Sequence, residues 1–505
     1  MRKNDSGAFN AGALLVYSVL ITVSAAFHEP WRDEAQAWLI ARDLPLPGIL
    51  HQMGYEGSPA LWHLLLIPFA KLGAPFASLE ALHVLIAILM IGVFLFFSPF
   101  PRWTRVLVAF SYYMTFEYAV IARNYSMGIL LLFLIAVLYD KRFARPLLYA
   151  SLVFLLFNTN VHSFGFAGGL LVLYLFEAFR KGLDRRTCYA LGVMGLGALL
   201  CILQVMPRPN QLIRPSTIYF NPLIIPVAVK HVFFHTLESS VAVSFLMGIG
   251  STVILSVVLF HLIKKPPALF LFLVSYFWLF FIFVFKHIGN MRHHGLLFVS
   301  VIFCLWIAEF YEESTTRYPS LARRFLRFDW KRISLVLINL SLLFSAYLSG
   351  LFLCREITMD YSGSKRMARY IQENRLEDRP IAAHTILTET LLALLPSVRF
   401  WYPSIGDWGT FATWDYETVH GNTLTPEEVV RKVGEQGFPR DRILLLLTSP
   451  LANPEADHYR LLFKVDDNIF GLSRNPSKEA FYLYEPAPEK LSGGTGNECL
   501  SPKSR

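Results

Sequence analysis

The chain alternates long apolar runs with short polar clusters, and most of the runs have the length that crosses a bilayer. A spanning helix needs about 20 mostly apolar residues. Stretches 11–27, 79–98, 163–179, 187–206, 240–260, 268–285, 295–310 and 333–353 meet that requirement. Three more, 104–120, 125–139 and 146–157, are short or interrupted, which is tolerated where neighbouring helices shield the backbone from lipid. The pattern therefore predicts about 11 spans. A further apolar run, 59–72, would invert every later loop if it crossed, so it is read as a helix lying in the outer interface. Beyond residue 353 the periodicity changes. Helix-like stretches 361–376 and 425–436 alternate with strand-like 380–384, 442–448 and 480–484, separated by Pro, Gly and Asp clusters. The expected fold class is a polytopic α-helical membrane protein followed by a soluble mixed α/β domain. Its parts would be a membrane domain over 1–353 with a first outer loop over 28–78, the α/β domain over 354–485, and a loose tail over 486–505.

Composition agrees: of 505 residues, 54% are apolar and only 16% charged, against roughly 25% charged in soluble proteins. The net charge of +9 does not point to nucleic acid, because Lys and Arg fall in short clusters between apolar runs rather than on one face, and no RNA-binding or phosphate-loop signature occurs. With the N-terminus in the cytoplasm, the inner segments hold 19 Lys and Arg residues and the outer loops of the membrane part hold 9. The positive-inside tendency then places the protein in the cell's inner (plasma) membrane with its N-terminus cytoplasmic and its C-terminal domain outside. The first span leads into His28-Glu29-Pro30-Trp31 without a small-residue cleavage site, so it is read as an uncleaved span. Cys188, Cys201 and Cys304 lie in apolar runs, whereas a pairing of Cys354 with Cys499 stays open.

Candidate chemistry concentrates in the first outer loop. Pro30 suits the first turn of a helix, and Asp33 and Glu34 follow where the positive end of the helix dipole favours acids. Trp31, Ala35, Trp38 and Leu39 form one apolar stripe able to rest on the membrane. Adjacent carboxylates at a membrane surface can orient an acceptor hydroxyl and take its proton; equally, they are ordinary first-turn acids of an interfacial helix. Further on stands Tyr55-Glu56-Gly57-Ser58-Pro59-Ala60-Leu61-Trp62-His63, a turn that launches the interfacial helix, with Glu56 and His63 either site residues or solvated loop residues. Glu117 and Arg123 occupy the next outer turn, where Arg123 is either a structural ion-pair partner or a phosphate ligand. His162 stands at the outer end of the fifth span, and Arg292 in Lys286-His287-Ile288-Gly289-Asn290-Met291-Arg292-His293-His294, before the tenth. Adjacent histidines on a helix point apart, which argues against a metal held by His293 and His294 together.

Trp-x-Asp-Glu after the first span, then Gly-x-Pro-x-Leu-Trp, resembles the GT-C superfamily of integral-membrane glycosyltransferases, in the branch of protein O-mannosyltransferases and lipid A aminoarabinose transferases. The resemblance covers roughly the first 350 residues in architecture and a few dozen in motif. It implies that Asp33, with Glu34 beside it, is the catalytic or acceptor-orienting acid. It also implies that Arg292 holds a lipid phosphate and that Arg123, Glu117 and His162 stand in substrate-binding turns. Tyr55 and Glu56 belong to the second motif, where the family usually has Pro-Pro and this chain has Ser58-Pro59-Ala60. The implied reaction transfers a sugar from a polyprenyl-phosphate-linked donor to a lipid, glycan or protein acceptor, with inversion at the outer face. The resemblance fixes no certain cofactor, and a divalent metal stays open because members of the family are of both kinds. The alternative is a transporter or flippase for a lipid-linked or polar substrate. Transporters place ionisable residues at mid-bilayer, whereas here most of them collect at span ends, especially the outer ones, with Glu177 and Glu309 near inner ends as exceptions.

Overall fold

The computed structural model describes residues 2–211, 220–235, 240–314, 326, 328–384, 388–415, 424–438, 442–467, 469–470 and 479–487. Its helices are α1 (Arg2–Phe27), α2 (Arg32–Asp43), α3 (Leu46–Glu56), α4 (Leu61–Lys71), α5 (Ala77–Phe97), α6 (Arg102–Ala109), α7 (Tyr125–Leu138) and α8 (Pro146–Phe157). They continue with α9 (Phe164–Lys181), α10 (Arg185–Gln204), α11 (Ile224–Phe233), α12 (Val241–Leu262), α13 (Pro266–Phe285), α14 (Met291–Ala308) and α15 (Trp330–Thr358). Among the described residues, eight helices are long and apolar enough to cross a membrane: α1, α5, α9, α10 and α12 to α15. The three weaker runs are helical but short. Run 104–120 divides into α6 and a π-helical turn at Tyr113–Glu117, and α7 and α8 have 14 and 12 residues. Most of α7 is buried by its neighbours, the shielding a short segment requires.

Helix α14 is the axis of the bundle, with every residue from Met291 to Ala308 buried against α7, α11 and α13. The peripheral helices do the reverse. Leu15, Val16, Val19 and Val23 of α1 and Val241, Phe245, Leu246 and Val253 of α12 are exposed, a face that suits hydrocarbon and not water. Where α9 meets α13, a Cβ on Gly165 would come within 2.5 Å of the Trp278 side chain, so only glycine allows that approach. Near helix ends, Glu177 pairs with Arg142 at 2.8 Å and Glu309 with Lys331 at 2.7 Å.

The loop over 28–78 folds into α2, α3 and α4. Run 59–72 is the helix α4, whose Trp62, His63, Leu66 and Ala70 are buried while Leu64, Leu65 and Phe69 stay exposed. Two expectations for α2 are corrected. Pro30 lies outside the helix, which starts at Arg32 with Trp31 as its N-cap; Glu34 reaches back to the Trp31 N–H at 3.1 Å and closes the first turn instead. The stripe of Ala35, Trp38 and Leu39 is buried in protein, not laid on lipid, because α4 and a helix of the C-terminal region both pack on α2. Periodicity reveals an apolar face but not what covers it.

The C-terminal region holds helices α16 (Ser364–Glu373), α17 (Glu389–Leu394) and α18 (Pro426–Glu435). They accompany strands β1 (Ile381–Ala383), β2 (Phe400–Tyr402), β3 (Asp407–Gly409), β4 (Leu444–Leu447), β5 (Tyr459–Val465) and β6 (Phe481–Pro486). The sheet order is β3-β2-β1-β4-β6-β5. Strand β1 runs parallel to β2 and β4, and the pairs β2–β3, β4–β6 and β5–β6 are antiparallel. The four leucines of β4 are all buried, as a central strand covered on both faces requires. Cys354 is exposed and has no disulfide partner among the described residues. Cys499, the tail from 488 onward, Arg214, Arg317, Arg323, Arg324 and Arg327 lie outside the described residues.

Candidate active site

Asp33 occupies the first turn of α2, and three guanidinium groups converge on it. Arg32 donates to Oδ1 through Nε at 3.2 Å and Nη2 at 3.0 Å. Arg123 places Nη1 3.3 Å from Oδ2 and also donates to the Asp33 carbonyl at 2.6 Å. Arg292, from the first turn of α14, reaches Oδ2 at 3.4 Å. Burial opposes the charge of Asp33, but Arg123, Arg32 and Arg292 outweigh it and hold the carboxyl well below the usual carboxylate range. The cluster therefore carries one negative and three positive charges. Arg292 is steadied by the Trp31 ring 4.4 Å from its guanidinium centre, and Arg32 by the Trp414 ring at 5.0 Å. The Nε of Arg292 is buried without a hydrogen-bond partner. This arrangement suits a further anion.

Glu34 is placed differently. Its side chain is 1% exposed, against 18% for Asp33, and both of its oxygens are engaged: Oε2 with His28 and the Trp31 N–H, Oε1 with the Ala122 N–H. Of the two adjacent acids, only Asp33 is partly exposed. Glu56 accepts from Gln36 at 2.8 Å and Gln52 at 3.1 Å, and burial lifts its carboxyl to about 7. Glu117 takes the Tyr112 hydroxyl at 2.7 Å and lies within electrostatic reach of Arg292. His162 sits behind the cluster, its ring 4.9 Å from His293 and 6.2 Å from Tyr125. Tyr55 is not drawn in; its hydroxyl donates to Asn210 at 2.8 Å. Among the described residues, no three His, Cys, Asp or Glu side chains are arranged to hold a metal ion.

The crystal structure of ArnT from Cupriavidus metallidurans bound to undecaprenyl phosphate matches this chain with a TM-score of 0.57. The match covers 96% of this chain and 98% of that one, at 14% sequence identity. The chain has the ArnT fold. No family model matches it, and no curated protein does. The likeness to ArnT runs through the C-terminal region as well as the membrane helices, further than the first 350 residues where the sequence resemblance is visible.

The C-terminal region of this ArnT-like fold supplies site residues that the sequence did not reveal. Glu479 accepts the Arg32 backbone N–H at 3.0 Å, and Glu389 of α17 accepts that of Ala412 at 3.0 Å. Burial lifts Glu479 to about 8 and Glu389 well above the ordinary value. Arg32 itself appeared only as one basic residue of an outer loop. Its place next to Asp33 was the available signal, whereas nothing in the sequence connects residue 479 to residue 32.

Proposed function

We propose that the chain transfers a sugar from a polyprenyl-phosphate-linked donor to an acceptor hydroxyl at the outer face of the membrane. The observation that carries this reading is the partly exposed Asp33 carboxylate gripped by Arg32, Arg123 and Arg292. It is supported by the fold shared with ArnT, whose crystal structure holds undecaprenyl phosphate. The Trp-x-Asp-Glu motif independently resembles the branch that includes the lipid A aminoarabinose transferases.

In this mechanism the donor's phosphate engages Arg292 and Arg123, since guanidinium binds phosphate through two parallel N–H bonds. A carboxylate held by three cations is a weak base, so the free site is not poised for proton transfer. The arriving phosphate draws Arg123 and Arg292 toward itself and restores basicity to Asp33. The acceptor oxygen then attacks the anomeric carbon and its proton passes to Asp33. The bond from the anomeric carbon to the phosphate oxygen breaks on the opposite face, and the electron pair leaves with the polyprenyl phosphate, whose charge the two arginines offset. Glu34 serves the fold of the loop.

The test is Asp33→Asn assayed for sugar transfer from polyprenyl-phosphate donors in membranes of matched protein abundance. General-base assistance is worth about 10²–10⁴ in rate, and a loss of that size is expected, with Glu34→Gln falling less. Near-normal turnover in Asp33→Asn would remove the acid from the mechanism.

A further inference from the structure

Behind the arginine cluster lies a second buried charge system that the transfer mechanism does not use. The His28 side chain is 0% exposed and stands between two carboxylates, with Nδ1 2.7 Å from Glu356 Oε1 and Nε2 3.1 Å from Glu34 Oε2. A neutral imidazole carries one N–H and could donate to only one of them. With both acids ionised, only the imidazolium satisfies the two contacts at once. Burial works against that charge, and Glu34 and Glu356 outweigh it.

The three residues come from separate parts of the chain: the end of the first span, the first turn of α2, and the last turns of α15. Glu34 extends the connection, because its Oε1 accepts the backbone N–H of Ala122, the residue immediately before Arg123. Glu34 is also the neighbour of Asp33. One carboxylate thus fixes both the helix that bears the acid and the turn that bears one of its arginines. Glu356 is committed to this system as well: its Oε2 is buried without a hydrogen-bond partner, so His28 is what holds it.

We infer that His28, Glu34 and Glu356 are positioning residues, a buried relay that sets where Arg123 stands and thereby how tightly the site grips the donor's phosphate. The inference rests on the transfer reading above. Asp33 is also held by Arg32 and Arg292, whose contacts with it do not run through the relay, so the loss is expected to fall on phosphate binding through Arg123 more than on the chemical step.

The experiment uses the full-length protein in lipid nanodiscs and two nearly isosteric variants, Glu34→Gln and Glu356→Gln, with Glu309→Gln at the inner end as a control. Hydrogen exchange of the peptide containing Ala122 reports the relay without any need for activity. Binding of undecaprenyl phosphate reports the grip. Faster exchange and roughly tenfold weaker binding are expected in both relay variants, the scale of misaiming one charge-assisted hydrogen bond, with neither change in the control. Glu356 does not touch the cluster, so an effect there must pass through His28. Unchanged exchange in both variants overturns the relay. Faster exchange with unchanged binding reduces it to a structural tie and overturns the positioning role. A wild-type protein that binds no undecaprenyl phosphate overturns the transfer reading instead, and the exchange measurement still decides whether the relay exists.

Discussion

Replacing Asp33 by Asn is expected to have opposite effects on transfer and on product affinity. Arg123 and Arg292 stand 3.3 and 3.4 Å from the same carboxylate oxygen. At an effective dielectric of about 20, each such pair attracts with about 5 kcal/mol before the lost hydration is subtracted. A hydrogen bond to a charged group nets about 1.5–3 kcal/mol once it is. A lipid phosphate that takes either arginine must compete with that contact, and it is also repelled by the carboxylate itself. The amide introduced by Asp33→Asn would keep an acceptor oxygen but lose the charge, so at least one contact's worth of competition disappears. Since 1.4 kcal/mol is a factor of ten, the Asp33→Asn variant should bind undecaprenyl phosphate about tenfold more tightly than wild type while transfer collapses. The assay is a titration of the purified variant followed by tryptophan fluorescence, Trp31 lying under the Arg292 guanidinium. Weaker binding would show that Asp33 organises the arginines for phosphate and does not compete with it. Unchanged binding would mean that the phosphate is held elsewhere.

Arg292→Lys keeps the charge but loses the planar fork and the stack on Trp31, so undecaprenyl phosphate affinity should fall by about tenfold; an unchanged dissociation constant would remove Arg292 from the phosphate site. Because burial raises the folded-state value of Glu479 to about 8, its contribution to stability is full below the unfolded carboxyl value near 4.3 and is lost as pH rises through about 8. Thermal unfolding should accordingly show a fall in stability between about pH 5 and pH 8.5 that Glu479→Gln flattens, and an identical slope in the variant would contradict the burial effect. A Cβ on Gly295 would come within 2.5 Å of Tyr113 Cε1 and Tyr118 Oη, two fully buried rings, and the Tyr118 hydroxyl holds the Arg292 carbonyl at 2.6 Å. Gly295→Ala should therefore cost about 1–3 kcal/mol in unfolding free energy and weaken phosphate binding with it, and a wild-type midpoint would refute the close packing. Reporter tags at Asn4 and Lys181 should read cytoplasm and tags in the C-terminal region the outer side; a cytoplasmic C-terminus would overturn the proposed active face.

The membrane helices were legible because their signal is local: an apolar run long enough to span announces itself residue by residue. Asp33 stood out as a candidate for the same reason, being part of a short motif at a helix start. What escaped was set by distance along the chain. His28 meets Glu356 across 328 residues, and Arg32 meets Glu479 across 447, and no periodicity or spacing joins such pairs. The α/β region shows the same division. Strands β1, β4 and β6 correspond to the strand-like stretches read from the sequence, whereas β2, β3 and β5 were not read; length does not separate the two groups, since β1, like β2 and β3, has three residues and β5 has seven. Nor could the sequence separate Asp33 from Glu34, because adjacent acids differ only in what surrounds them once folded. The burial of Glu34 against His28, and the opening of Asp33 among arginines, makes that distinction.

The carboxyl group of Glu479 stands just ahead of β6, yet it holds the backbone N–H beside Asp33, 447 residues earlier in the chain. Synthesis runs in one direction, so every membrane helix has emerged before this residue exists. A polypeptide that stops between α15 and Glu479 contains the residues of the helix bundle and all three arginines, but not the acid that holds the Arg32 backbone. Completion of the cluster is thereby tied to the arrival of the β6 segment, which acts as a seal applied only after the bundle has been built.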